Sequence, residues 1–425
     1  MILSESEQEC LGIPVFFMEE KMELNSALLH RALKYYYGYD EFREGQEKII
    51  TTILEGKSVL AILPTGAGKS LCFQLPSLLL RGVTLVVSPL ISLMKDQAEN
   101  LNKRGISAAY LDSSMTGNRY GSVLHDVLSG RCKFLYVAPE RLANPQFLSF
   151  AQRAQITMVA IDEAHCVSQW GRSFRKEYYH IPAFIAKLPR KPLLVAFTAS
   201  ATPEVRKDIL GHLGIADAQI FVTGFDRPNL YFAVFRLHDK RRALLEYLER
   251  HRLESGVIYC ATRAKVEEVA QLLISSGYAA IRYHAGLTPE ERRSNQNLFV
   301  NGKVGLVVAS NAFGMGIDKA DVRFVVHYNM PKDLEGYYQE AGRAGRDGKP
   351  AECILFYDDS DKEINEHLIQ QAQKEAPVRE LEQRLLERMT AYCHTRRCLR
   401  QFMLEYFGEH APSRCCNCGN CGTST

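Results

Sequence analysis

The stretch Leu63-Pro-Thr-Gly-Ala-Gly-Lys-Ser70 constrains this chain more than any other. An apolar run, Ser58-Val-Leu-Ala-Ile-Leu63, precedes it and reads as a buried strand. Leu71-Cys-Phe-Gln-Leu75 follows and reads as the first turns of a helix. Strand, glycine loop and helix together form a phosphate cradle. Gly66 and Gly68 allow a tight turn that exposes backbone N–H groups, and the helix N-terminus adds positive partial charge. Thr65 and Ala67 complete the loop, Lys69 can reach the outer phosphates, and Ser70 can ligate Mg²⁺. An ordinary glycine turn is the plain alternative for such a loop taken alone.

Around the loop, apolar strands and amphipathic helices alternate. Val83-Thr-Leu-Val-Val, Arg131 to Ala138, Ile156-Thr-Met-Val-Ala-Ile161 and Pro192 to Thr198 read as strands, each ending in a turn. Strands that are apolar throughout and separated by helices indicate a parallel α/β sheet. Chemistry in such sheets sits at the carboxyl ends of the strands. A second alternating set begins near Gly224: Gly256 to Thr262, Tyr278 to Gly286, Val304 to Ser310 and Val322 to Tyr328 are strands. Thr288-Pro-Glu-Glu starts a helix, with Thr288 as cap and Pro289 at the first position. The two sets predict two α/β domains, at 26–222 and 223–357, with the boundary within 218–226. Residues 358–425 read as a small helical module ending in cysteines. Residues 1–25 read as a loose extension, with Met18 and Met22 as alternative starts.

A chain of 425 residues accommodates two or three domains. No apolar run approaches the roughly 20 residues needed to span a membrane, and the acidic N-terminus lacks a signal-peptide pattern. A cytoplasmic protein without a membrane partner is expected. The net charge of +3 does not by itself call for nucleic acid. Of the 12 cysteines, those from Cys10 to Cys393 are scattered and read as buried thiols. The last five fall between Cys398 and Cys421.

Four motifs carry chemistry. Asp162-Glu-Ala-His165 ends a buried strand. Asp162 can hold Mg²⁺ across from Ser70, and Glu163 can orient and deprotonate an attacking water. Gln339-Glu-Ala-Gly-Arg-Ala-Gly-Arg346 spaces Arg343 and Arg346 three apart, which aims both guanidinium groups one way; these suit a γ-phosphate in its transition state. A solvated basic turn is the alternative. Ala164 to Arg175 contains the single Trp of the chain. Trp170 and Phe174 interleaved with Arg172 and Arg175 form a stacking platform for single-stranded bases, or else two core aromatics. Finally, Cys398, Cys415, Cys418 and Cys421 have the spacing C-x16-C-x2-C-x2-C, suited to one tetrahedral Zn²⁺. Sets that use Cys393 or Cys416 are the alternative, and disulfides do not suit a cytosolic chain. Near the start, Tyr39, Arg43 and Gln46 can stack on and hydrogen-bond a purine, or can serve a helix-capping turn.

From about residue 30 to 421 the chain resembles the RecQ family of superfamily 2 DNA helicases. Phe42-Arg-Glu-Gly-Gln46, Pro64 to Ser70, Ser88 to Gln97, Asp162 to His165, Phe197 to Thr202, Gly314-Met-Gly-Ile-Asp318 and Gln339 to Arg346 occur in family order. Leu63 stands where the strict phosphate-loop pattern has Gly, a variation that helicases share. The resemblance implies two tandem RecA-like parallel-sheet domains followed by a helical zinc-binding module. It implies ATP-driven 3′ to 5′ translocation on single-stranded DNA and unwinding of 3′-tailed duplexes in repair or recombination, with ATP, Mg²⁺ and Zn²⁺ as cofactors. It also implies adenine recognition by Tyr39, Arg43 and Gln46, strand contact by the Trp170 loop, and coupling of hydrolysis to motion by Ser200 and Thr202. Gln339, Arg343 and Arg346 join Lys69, Asp162 and Glu163 in hydrolysis, and Cys398, Cys415, Cys418 and Cys421 are the zinc ligands. A monomer is the simplest state. An RNA-dependent ATPase, or a scaffold that binds nucleic acid without hydrolysis, is the competing reading. The chain carries Arg172-Ser173 where the family usually has His-Asp. It ends just after the cysteines, where family members commonly continue into a winged helix. Weak, salt-sensitive duplex binding is therefore expected, with Arg396, Arg397 and Arg400 as the basic contacts outside the motor.

Overall fold

A computed structural model describes residues 26–112, 115, 117–168, 175–313, 319–371 and 375–423. The expected extension over 1–25, the loop residues Trp170, Arg172 and Phe174, and the Gly314–Asp318 segment lie outside them. The chain divides into two compact units, Met1–Gly224 and Phe225–Thr425.

The first unit holds strands β1 (Val59–Ile62), β2 (Val83–Val87), β3 (Ala108–Leu111), β4 (Phe134–Val137), β5 (Ile156–Ile161), β6 (Leu193–Thr198) and β7 (Gln219–Val222). Their order is β3-β4-β2-β5-β6-β1-β7, and every pairing is parallel. All residues of β1, β2 and β4 are buried, because helices cover both faces of the sheet. One face packs Phe73, Phe134, Tyr136 and Phe197 into a single cluster. Helices Ser26–Tyr37, Gln46–Leu54 and Lys69–Leu79 share a smaller one. The β5-β6-β1 neighbourhood is what matters for function. Three adjacent parallel strands bring the segments after Ile161, Thr198 and Ile62 to one sheet edge. β7 is an exposed edge strand, and it pairs with β1 along its whole length. The first sheet therefore runs to Val222, and the division between units falls after Gly224.

The second unit holds β8 (Leu230–Arg236), β9 (Ser255–Tyr259), β10 (Ala280–Tyr283), β11 (Leu306–Ala309), β12 (Val322–His327), β13 (Ala351–Tyr357), β14 (Asn417–Cys418) and β15 (Gly422–Thr423). The order is β10-β11-β9-β12-β13-β8-β14-β15. The Thr288 start is a reciprocal capping box with Glu291, as a Thr followed by Glu at the third helical position allows. Helices Asp359–Gln371, Ala376–His394 and Leu399–Tyr406 follow the last long strand. This C-terminal segment is not purely helical. β14 runs parallel to β8 and pairs antiparallel with β15, so the cysteine segment extends the second sheet. Among the described residues no helix is long and apolar enough to cross a membrane.

Candidate functional site

The phosphate loop leaves β1 and enters helix Lys69–Leu79. Gly68 is left-handed (φ 82°), and a Cβ there would lie 2.4 Å from Gln46 Nε2. The position therefore requires glycine for two separate reasons. Gln46 is 2% exposed; its amide donates to Ala67 O at 2.9 Å, and its Oε1 accepts from Arg43 N at 2.9 Å. Arg43 donates through Nη1 to Gly66 O. Two members of the expected purine-binding trio are thus fastened to the loop backbone, while Tyr39 is 53% exposed. Lys69 is half-buried, with Nζ 3.5 Å from Leu63 O, and Ser70 follows it at the helix start.

At the end of β5, Asp162 N donates to Val87 O (2.9 Å), and Asp162 Oδ1 accepts from Glu163 N (3.0 Å). Burial, reinforced by the adjacent Glu163 carboxylate, raises Asp162 to about 7, while Lys69 pulls in the opposite direction. Glu163 takes the left-handed conformation (φ 49°), which is uncommon outside glycine. Its Oε2 lies 3.3 Å from His165 Nδ1. Burial opposes charge on His165, but Cys166 and Glu163 outweigh it and hold the imidazole well above its usual range. His165 Nδ1 also lies 2.9 Å from Thr198 Oγ1, and Thr198 donates to Ser200 O at 3.0 Å. The acidic pair is thereby wired to the segment after β6. Thr202 caps helix Pro203–Leu213 by accepting from Val205 N. His165 and Thr198 received no role from the sequence, although both stand inside the motifs it singled out. Their own signal was position, since each ends or follows a strand beside the loop.

Arg175 remains close to this edge: its N donates to Cys166 O at 3.0 Å, and its guanidinium is 3.8 Å from Glu140. Tyr178 OH donates to Asp162 O at 3.1 Å.

In the second unit, Gln339 ends up half-buried on helix Leu334–Ala341, and Arg343 and Arg346 lie on the turn after it. Arg343 is 9% exposed and Arg346 half-buried, so neither is a solvated surface charge. Glu340 Oε2 lies 3.1 Å from His327 Nε2, and His327 stacks on Tyr259, whose OH donates to Phe313 O at 2.6 Å.

The four thiols of Cys398, Cys415, Cys418 and Cys421 lie within 4.8 Å of one another. A tetrahedral Zn²⁺ with ~2.3 Å bonds to sulfur needs edges of about 3.8 Å, so the set fits the metal. Cys398 and Cys418 are buried. Burial works against a Cys418 thiolate, yet the backbone N–H groups of Leu399, Cys421 and Asn420 bring it down to about 7. Cys398 caps helix Leu399–Tyr406. Cys416 is exposed and left-handed (φ 54°), and Cys393 is buried outside the cluster. Arg400 corrects an expectation. It is 5% exposed and donates to Asp226, Arg227 O and Leu230 O, so it is not available to duplex phosphates. Arg397 is paired with Glu405 at 2.7 Å.

Residues 43–209 match the DEAD/DEAH box helicase family, 239–348 the helicase conserved C-terminal domain and 359–422 the RecQ zinc-binding family. The chain is similar to the ATP-dependent DNA helicase RecQ of Bacillus subtilis, 44% identical over 93% of this chain and 67% of that protein. It is 43% identical to the enzyme of the same name from Pasteurella multocida, over 91% of this chain and 61% of the relative. This chain thus spans about two thirds or less of these relatives. The fold matches that of Mycobacterium smegmatis helicase Lhr bound to ssDNA and AMP-PNP, with a TM-score of 0.64 at 20% identity, covering 82% of this chain and 50% of Lhr. Both units are therefore RecA-like, and with the cysteine tetrad in place the chain belongs to the RecQ family of ATP-dependent DNA helicases.

Proposed function

We propose that this chain hydrolyses ATP to move 3′ to 5′ along single-stranded DNA and to open 3′-tailed duplexes in DNA repair or recombination, in the cytoplasm. The observation that carries the reading is the shared edge at β5-β6-β1, where Lys69, Asp162, Glu163 and the His165–Thr198–Ser200 chain stand together. Ser70 and Asp162 would hold Mg²⁺, which would neutralise phosphate charge. Lys69 binds the outer phosphates together with the loop amides of Thr65 to Gly68. Glu163 orients the attacking water, and His165 keeps that carboxylate turned toward its task. Gln339, Arg343 and Arg346 stabilise the phosphoryl group in flight. Arg43 and Gln46, held against the loop backbone, read adenine beside Tyr39. Trp170, Arg172, Phe174 and Arg175 contact the strand, and Ser200 and Thr202 relay hydrolysis to motion.

We further assign residues 26–222 and 223–357 to the two motor domains and 358–425 to the zinc-binding domain. Hydrolysis measured with single-stranded DNA, with RNA and with neither tests the reading. Strong stimulation by DNA over RNA is expected. Equal stimulation by RNA would favour an RNA-dependent ATPase, and no hydrolysis at all would favour a scaffold.

A further inference from the structure

Arg343 and Arg346 stand on a turn with little regular structure of its own. Gly342 N closes the preceding helix on Tyr338 O (2.8 Å), and Gly345 N donates to Val322 O (2.9 Å). The carbonyls of this turn are held by a separate stretch, the strap Phe225–Leu230. Arg227 Nη2 donates to Gly345 O at 2.9 Å and Ala344 O at 3.1 Å, and Nη1 reaches Gly342 O at 3.5 Å. Asn229 Nδ2 donates to Gly345 O and to Lys349 O, both at 2.9 Å. Gly345 is left-handed (φ 54°), and a Cβ there would lie 2.5 Å from Asn229 Nδ2, so the strap and the turn fit only with glycine at this point. A guanidinium over the carbonyl end of a helix is also favoured electrostatically.

The strap is itself held from its other side. Arg400 donates to Asp226, to Arg227 O (2.8 Å) and to Leu230 O (2.5 Å). Asn417, between Cys415 and Cys418, donates to Pro228 O at 2.9 Å. One guanidinium therefore grips the strap from the cysteine segment, and a second reaches from the strap to the turn.

We propose that Arg227 is a positioning residue for ATP hydrolysis, setting the backbone between Arg343 and Arg346 and anchored through Arg400 to the zinc-binding segment. The proposal rests on the reading that Arg343 and Arg346 act on the reacting phosphate. Groups that act only in the transition state need close placement, so a loosened turn lowers kcat and leaves KM nearly unchanged.

The test compares Arg227→Lys and Arg227→Ala with Arg343→Ala in the whole, zinc-loaded chain. Four quantities are read: kcat and KM for ATP, affinity for ADP and for ADP–aluminium fluoride, zinc content, and melting temperature. Lysine keeps the charge but loses the fork that spans three carbonyls. Arg227→Lys is expected to lower kcat about tenfold and to weaken ADP–aluminium fluoride in parallel, with ADP affinity, zinc content and melting unchanged. Should Arg227→Ala melt early, the lysine variant decides. Normal kcat in Arg227→Lys beside a crippled Arg343→Ala overturns the positioning role while the reading of the arginines stands. Normal kcat in Arg343→Ala removes that reading instead. A kcat loss in Arg227→Lys that comes with lost zinc or early melting shows the strap to be structural only, and overturns the proposal.

Discussion

The phosphate loop and the cysteine tetrad are both candidate ion sites, but they stand on unequal foundations. The loop leaves β1, whose four residues are buried between β6 and β7, above a core that includes Phe73, Phe134 and Phe197. Its geometry is complete in protein contacts, with Gln46 and Arg43 bonded to its carbonyls. The tetrad hangs on a two-residue strand, one helix cap and thiols of which two are only half-buried. A segment that small has little core of its own and is expected to gain order from a bound metal. The end of β5, two strands from the loop, and the cysteine segment each carry a left-handed residue other than glycine, Glu163 and Cys416, and among the described residues these two are the whole set. Backbone strain of this kind persists only where surrounding structure enforces it. Glu163 stands at the end of a buried strand, and Cys416 is flanked by two of the four clustered thiols, Cys415 and Cys418.

Stripping the metal is the largest perturbation this contrast predicts. Structural zinc sites carry on the order of 10 kcal/mol of apparent binding free energy. Chelation, or Cys398→Ser, is expected to produce an early melting step confined to the second unit, leaving nucleotide binding by the first intact. Unchanged calorimetric melting after metal removal would deny the tetrad its structural role. Next in size is Lys69→Ala, expected to reduce turnover by more than about a thousandfold with the fold unaltered, because the loop does not need its lysine to stand. Near-normal turnover of the purified variant would sink the phosphate-loop assignment. Arg343→Ala and Arg346→Ala are each expected to lower kcat about 10²- to 10³-fold with little change in KM. A defect confined to nucleotide affinity would show a ground-state role instead.

The smallest expected effect is a pH dependence in the first unit. Asp162 is held near 7 in the ligand-free protein, above its unfolded value of 3.8. The folded state therefore binds the extra proton between these values, and this group's contribution to stability grows as pH falls from about 7 towards 4. Mg²⁺ needs the ionised carboxylate. Its nucleotide complex is expected to bind about tenfold more weakly one unit below the pKa, releasing a proton. Calorimetry at pH 6.5 in two buffers of different ionisation enthalpy reads that proton directly, and no buffer dependence would refute it.

The alternation of strands and helices, the phosphate loop and the tetrad spacing were legible in the sequence because each is a local pattern. β3, β7, β8 and β13 were not: β3 and β7 are short strands at or near a sheet edge without a long apolar run, and three of β7's four residues are exposed, while β8 and β13, seven residues each, went unread as well. Arg400 misled for a related reason. A sequence gives its charge, but only the fold shows that Asp226 and two carbonyls surround it. His165 and Thr198 were in view without a role, because their value lies in a contact between two strand ends.

β14 and β15 also terminate the second sheet. β8 is bonded to β13 on one side, and on the other, among the described residues, β14 is the one strand beside it, through Cys418 opposite Phe232 and the Gly419 N to Phe232 O bond of 2.8 Å. Unfastened, that side of β8 becomes an open strand edge, the kind that recruits further chains. Removal of a metal from the tetrad is therefore expected to open that edge and favour association between molecules, which light scattering during chelation would register.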